Sequence, residues 1–154
     1  ISKKKLEPKE GVLLNLLEEQ SIGMKDILTY PEYSLKCYQS TFNLKNKLEN
    51  MKKDGYLLVG YGAAAKGNTL LNFGNISLDL IIDDNPLKQG LLTPGMNIPI
   101  FGPEKINEIP ENEKVVFVPL AWNFYNEIRT RVLSRRENEK DFFVRYFPTL
   151  IIEK

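Results

Sequence analysis

The chain has 154 residues, enough for one compact domain with a real core and short for two. Hydrophobic residues make up 42% and charged residues 27%, an ordinary globular composition, and a net charge of +1 gives the molecule no strong pull toward nucleic acid or anionic membrane. Histidine is absent, so a mechanism that requires a histidine base or ligand cannot be completed within these residues.

Two helical stretches open the chain. Pro8 and Glu10 lead into Val12, Leu13, Leu16 and Leu17, an apolar spacing that predicts a short helix ending near Gly23. After Tyr30-Pro31 a longer helix is expected, with Leu44, Leu48 and Met51 on one face and a stop at Asp54-Gly55, where glycine takes a left-handed cap. From Tyr56 the texture changes. Tyr56 to Val59 is a short continuous apolar run, as in a strand buried on both faces, and it enters the turn Gly60-Tyr61-Gly62. A helix over about Ala63 to Phe73 and a second strand, Leu78 to Ile82, should follow, the strand ending in Asp83-Asp84. Ile98 to Phe101 reads as a short third strand, and Pro103 opens a brief helix. Val115 to Leu120 is the next strand, and Asn123 is read as the cap of a helix with Phe124, Ile128 and Val132 on one face. Phe142 to Phe147 forms the last strand, before Pro148.

Strand alternating with helix implies a mainly parallel sheet, since parallel neighbours need a crossover, and right-handed crossovers place helices on both faces. The fold class is therefore α/β and Rossmann-like. Residues 1–54 form a helical segment packing on residues 55–154, one structural domain overall. No internal repeat or low-complexity segment is visible.

A lone Cys37 excludes a disulfide within the chain and a multi-cysteine metal site, fits a reducing cytoplasm, and reads as a buried small hydrophobe. No apolar run approaches a membrane span and no signal peptide is seen. The start at Ile1 suggests an excised fragment. Arg129, Arg131, Arg135 and Arg136 read as a solvated helix face rather than a basic patch.

The chemistry gathers at the first strand-to-helix turn. Gly60-Tyr61-Gly62-Ala63-Ala64-Ala65 matches G-x-G-x-x-G/A. In this pattern Gly60 permits a tight turn, Gly62 lets a phosphate approach the backbone, and Ala65 and Gly67 let helix and sheet pack closely. A helix N-terminus offers N–H groups and partial positive charge to an anion, and Lys66 adds a charge. Asp83, 23 residues after Gly60, sits where an acid meets ribose hydroxyls. Nucleotide binding and plain architecture both explain the glycines. Lys88 and Gln89 lie in a Pro/Gly-bounded loop above the same edge and are candidate ligand contacts. Trp122 and Asn123 follow a strand to that edge as well, where the core and a helix cap are the competing roles. Glu127 reads as a first-turn acid favoured by the helix dipole. Asp83 and Asp84 should point apart rather than act as an acid/base pair.

Three stretches together resemble one family. They are Gly60 to Phe73, Asp84 to Gly90 with Pro94 to Ile100, and Leu120 to Phe124 with Glu127-Ile128. In order and spacing, from about Val12 onward, they are similar to the C-terminal domain of sugar C-methyltransferases. Those enzymes add a methyl group to a ketosugar carried on a nucleoside diphosphate. Residues 115–118 and Phe142 to Phe147 keep only the family's hydrophobic texture. The resemblance implies a cysteine-rich zinc domain and a methyltransferase domain upstream. The latter holds S-adenosylmethionine and the histidine and tyrosine that act as acid/base groups. Because this sequence has neither that cysteine cluster nor any histidine, the resemblance implies a portion that is expected to be non-catalytic and to bind no metal, and that partners the methyltransferase domain of the same chain and helps form the sugar-nucleotide cleft. Lys66, Lys88 and the Ala63 and Ala64 amides are then candidates for the diphosphate. Two other readings stay open: a stand-alone nucleotide or nucleotide-sugar binding domain, and a scaffold with a vestigial site. The glycine turn, the Asp-Asp-x-Pro stretch and the Ile-Pro-Ile segment are also similar to parts of sugar-modifying acyltransferases and sugar-nucleotide dehydratases.

Overall fold

A computed structural model describes residues 9–154, so the helix-leading Pro8 lies outside the described residues. The chain divides into two compact units, Ile1–Tyr38 and Gln39–Lys154. In the first, α1 spans Glu10–Ser21 and buries none of its residues; Val12, Leu13, Leu16 and Leu17 all face solvent. Gly23 turns the chain at φ 75°, and its carbonyl accepts a 2.8 Å hydrogen bond from Thr29 Oγ1. α2 covers Thr29–Lys53, so it begins just ahead of Tyr30-Pro31 and holds Pro31 in its first turn, where no N–H is needed. Cys37 is half-buried, not buried as expected, because the helical stretch around it is open to solvent.

The second unit is a sheet with apolar layers on both sides. Strands β1 (Leu57–Tyr61), β2 (Leu80–Ile82), β3 (Ile100–Phe101), β4 (Val115–Pro119), β5 (Phe142–Arg145) and β6 (Ile151–Glu153) lie in the order β3-β2-β1-β4-β5-β6. The first five run parallel, and β6 is antiparallel to β5. Because side chains alternate along a strand, each buried strand supplies both layers. Leu58, Ile81, Val116, Val118 and Val144 pack on Leu44, Leu48 and Met51 of α2 and Leu71 of α3 (Ala65–Gly74). Val59, Tyr61, Ile82, Phe117 and Phe143 pack on Ile106 and on Ile128 and Val132 of α4 (Tyr125–Leu133). Each fully buried aliphatic side chain contributes about 2 kcal/mol. The order reverses between β1 and β4, and the crevice over that reversal is where open α/β sheets take ligands.

Several boundaries differ from expectation for physical reasons. β1 runs to Tyr61, so Gly60 lies in the strand opposite Ile81 and Val118. A Cβ there would fall 2.9 Å from both Ile81 Cγ1 and Leu78 Cδ1, so Gly60 serves close packing rather than the turn. α3 starts at Ala65 instead of Ala63, since the preceding amides bond elsewhere. Leu78 to Ile82 and Ile98 to Phe101 shorten to β2 and β3, their first residues being spent in loop bonding such as Thr93–Ile98. Asn123 is not a cap: Trp122–Phe124 form a 3-10 turn, α4 begins at Tyr125 with no side-chain cap, and Tyr125 replaces the exposed Phe124 on the buried face. The last strand ends at Arg145, and β6 was not foreseen.

The four arginines are no uniform solvated face. Arg136 is buried and donates to Asp141 Oδ2 at 2.7 Å and to the carbonyls of Ile109, Pro110 and Glu113, while Asp141 Oδ1 accepts from the Val115 N–H. This buried pair ties the loop before β4 to the entrance of β5. No described helix is long and apolar enough to cross a membrane.

Candidate functional site

The turn after β1 lies at the carboxyl edge of the parallel strands, at the reversal of strand order. Gly62 carries it at φ 94°, a left-handed conformation that glycine takes without steric cost. Its amide donates to Ile82 O at 2.7 Å, and Leu120 N–H donates to Tyr61 O at 2.8 Å, so β2 and β4 both brace the bend. Farther on, a Cβ at Gly67 would meet Leu120 Cβ at 2.6 Å, so the absence of a side chain lets α3 settle on the sheet.

Asp83 is buried at the end of β2 with a fully engaged carboxylate. Its Oδ2 accepts from Ala63 N–H at 2.7 Å and Lys88 Nζ at 3.1 Å, and its Oδ1 accepts from Asn85 N–H at 2.9 Å. Lys88 Nζ also donates to Ala63 O at 2.9 Å, and Gln89 Nε2 donates to Asp83 O at 3.0 Å. The expected ribose acid and two expected ligand contacts therefore hold one another, and they pin the 85–90 loop to the glycine turn. Ala64 N–H is spent too, on Gly62 O at 2.8 Å. The two amides expected to meet a diphosphate are thus occupied by the protein. The next ones are open: α3 has no side-chain cap, and the first-turn N–H groups of Ala65 and Lys66 have no carbonyl behind them.

Lys66 projects from that helix start, its Nζ 5.2 Å from the centre of the Trp122 ring. Trp122 is half-buried rather than core, with its ring centre 4.4 Å from that of Phe147, and Asn123 beside it is exposed. Phe147 was not singled out from the sequence, because the pairing spans 25 residues. Tyr146 underpins the group by donating its hydroxyl to Leu120 O at 2.7 Å.

Asp83 and Asp84 do point apart. Asp84 faces the α4 side, where Oδ1 accepts from the Tyr61 hydroxyl at 2.9 Å and Oδ2 pairs with Arg131. Nothing in the spacing revealed this trio, since Arg131 comes from α4, 47 residues on. Burial and the Asp84 hydrogen bond push the Tyr61 phenol up to about 12, and burial likewise pushes Tyr125 and Tyr146 to about 12. None of these phenols is a base near neutral pH.

Two hollows flank the turn. One, about 430 Å³, lies beside Ala63 to Ala65 and is walled mainly by Leu71, Leu91, Leu92, Pro94 and Leu120. The other, about 480 Å³, opens on the opposite side of Gly62, among Tyr61, Asp84, Phe124, Glu127 and Arg131. Among the described residues no group of His, Cys, Asp and Glu is placed to hold a metal ion.

Residues 2–148 match the family described as C-methyltransferase C-terminal domain. The chain is also 31% identical over 140 residues to the C-methyltransferase NovU of Streptomyces niveus, an alignment covering 88% of this chain and 31% of that protein. The chain thus spans about a third of the length of this curated relative. On the strength of a family match running through nearly all its elements, this chain belongs to the C-methyltransferase C-terminal domain family.

Proposed function

We propose that this chain is the non-catalytic C-terminal domain of an S-adenosylmethionine-dependent enzyme that methylates carbon on a nucleoside-diphosphate ketosugar. Its task is to complete the sugar-nucleotide cleft. The observation that carries the reading is the start of α3. At the reversal of strand order, the first turn of α3 has no side-chain cap for the N–H groups of Ala65 and Lys66, and Lys66 brings an ammonium from that same turn, a combination suited to a diphosphate. Trp122 and Phe147, with their rings tilted at 44° to each other, offer aromatic surface beside that charge.

Methylating carbon beside a ketone requires removing a proton, stabilising an enolate and aligning it with the sulfonium methyl. This domain has no histidine, and its tyrosines at the edge hold their protons. Nor do its residues fit S-adenosylmethionine in the usual Rossmann manner. The acid that would grip the ribose, Asp83, is buried and accepts from Ala63, Asn85 and Lys88. The base and the methyl donor therefore belong to the methyltransferase domain of the same parent chain, in the cytoplasm. Exposed Leu13, Leu16 and Leu17 on α1 and Leu87, Leu91 and Leu92 in the loop after β2 are suited to packing on such a partner.

Calorimetric titration with uridine and thymidine diphosphates, their glucose conjugates, NAD and S-adenosylmethionine tests this. Binding of the diphosphates, weakened in Lys66→Ala, is the expected result. Tight binding of S-adenosylmethionine contradicts it. The mutual engagement of Asp83, Lys88 and Ala63 favours one second reading, a scaffold with a vestigial site; heat with none of these ligands is its signature.

A further inference from the structure

We infer that the hollow on the α4 side of Gly62 receives the hydroxyl-bearing ring of the sugar, an assignment that rests on the diphosphate reading above. The first argument is charge. Asp84 and Glu127 both border this space, with Arg131 as its cation. Arg131 is already paired with Asp84, and Glu127 has no partner among the described residues. A net negative lining repels a phosphate and suits a neutral donor of hydroxyl hydrogens. The positive side of the turn, at Lys66 and the start of α3, is left for the anion.

The second argument is shape and surface. Asp84 is held on two sides, by the Tyr61 hydroxyl at 2.9 Å and by Arg131, so its carboxylate is fixed before a ligand arrives. Phe124 stands 54% exposed at the rim, a flat apolar face for the C–H side of a sugar ring. Gly62 and Ala121 are the small residues of the hollow's lining, and a Cβ at Gly62 would lie 3.2 Å from Ala121 Cβ, so a larger residue there has no room. A space of about 480 Å³ accommodates one hexose with its water. Reach is the third argument. Gly62 lines this hollow and Ala65 begins α3, so at most about 10 Å of backbone separates a residue of the hollow from the start of the helix.

The test is a calorimetric comparison of uridine and thymidine diphosphates with their glucose conjugates, on the wild-type chain, Glu127→Gln and Phe124→Ala. The wild type should bind a conjugate about tenfold tighter than the matching diphosphate, the worth of one or two hydrogen bonds to a carboxylate. Each variant should lose that gain while its affinity for the diphosphate stays unchanged. Equal affinities for diphosphate and conjugate, or variants that keep the gain, would overturn the ring assignment and leave the diphosphate reading standing. Failure of every diphosphate to bind would remove both.

Discussion

At Gly62 the backbone sits at φ 94° with Ala121 Cβ 3.2 Å from where a side chain would begin, so strain and crowding act on the same atom. Gly62→Val should lower stability by about 2 kcal/mol, read as a shift in the urea midpoint, and should block the ring hollow as well. Asp83 carries a different burden. Removing its carboxylate strands the Ala63 and Asn85 amides and the Lys88 ammonium, so Asp83→Ala should cost about 3 kcal/mol even without ligand. An unchanged midpoint in that variant would show that the three donors find water at no cost. The phenols set an alkaline limit. Tyr61, Tyr125 and Tyr146 have folded values near 12, above the unfolded value of about 10, so their contribution is complete below pH 10 and fades as pH rises through 12. Stability should fall over that window, and phenolate absorbance should show these tyrosines titrating late. At this scale the sequence placed Asp83 at the end of β2 and Gly62 and Gly67 where a bend and close packing need them, but it did not show what holds Asp83. A carboxylate's direction is set by partners, here Lys88 and Ala63, whose positions no spacing rule supplies.

Among the elements, the buried strands were the most legible, because Leu-Leu-Val and Val-Val-Phe-Val have no other place than a sheet covered on both faces. Helix starts were less so. Asn123 looks like a cap, yet the chain makes a 3-10 turn there, since Tyr125 and not Phe124 has room to be buried against the sheet. β6 escaped notice because it is only three residues long and half-exposed. It is fixed instead by Arg145 and Tyr125, both bonded to Glu153. The Arg136–Asp141 pair escaped for the opposite reason: an arginine run reads as surface, while Arg136 is buried with all its donors directed at carboxylate and carbonyls. Asp141→Ala should therefore cost about 3–5 kcal/mol by leaving that guanidinium buried and unpaired. Leu48→Ala, which opens a cavity between α2 and the sheet, should cost about 2–5 kcal/mol. Chemical denaturation of each variant measures both.

For the molecule as a whole, alternation of strands and helices was enough to give a parallel sheet with two covered faces, and the order of glycine turn, Asp-Asn-Pro loop and Trp-Asn segment gave the family. The trio of Tyr61, Asp84 and Arg131 was out of reach, because it forms only when α4 folds back over β1 and β2. Everything proposed for the whole molecule requires that the carboxyl edge near α3 receive a diphosphate. The direct measurement is an amide chemical-shift map of the isotope-labelled chain titrated with thymidine diphosphate glucose. Saturable shifts concentrated at Gly62 to Gly67, and at Trp122, Phe124 and Glu127, are the expected result. Shifts confined to the opposite edge of the sheet, or none at all at saturating nucleotide, would contradict the account.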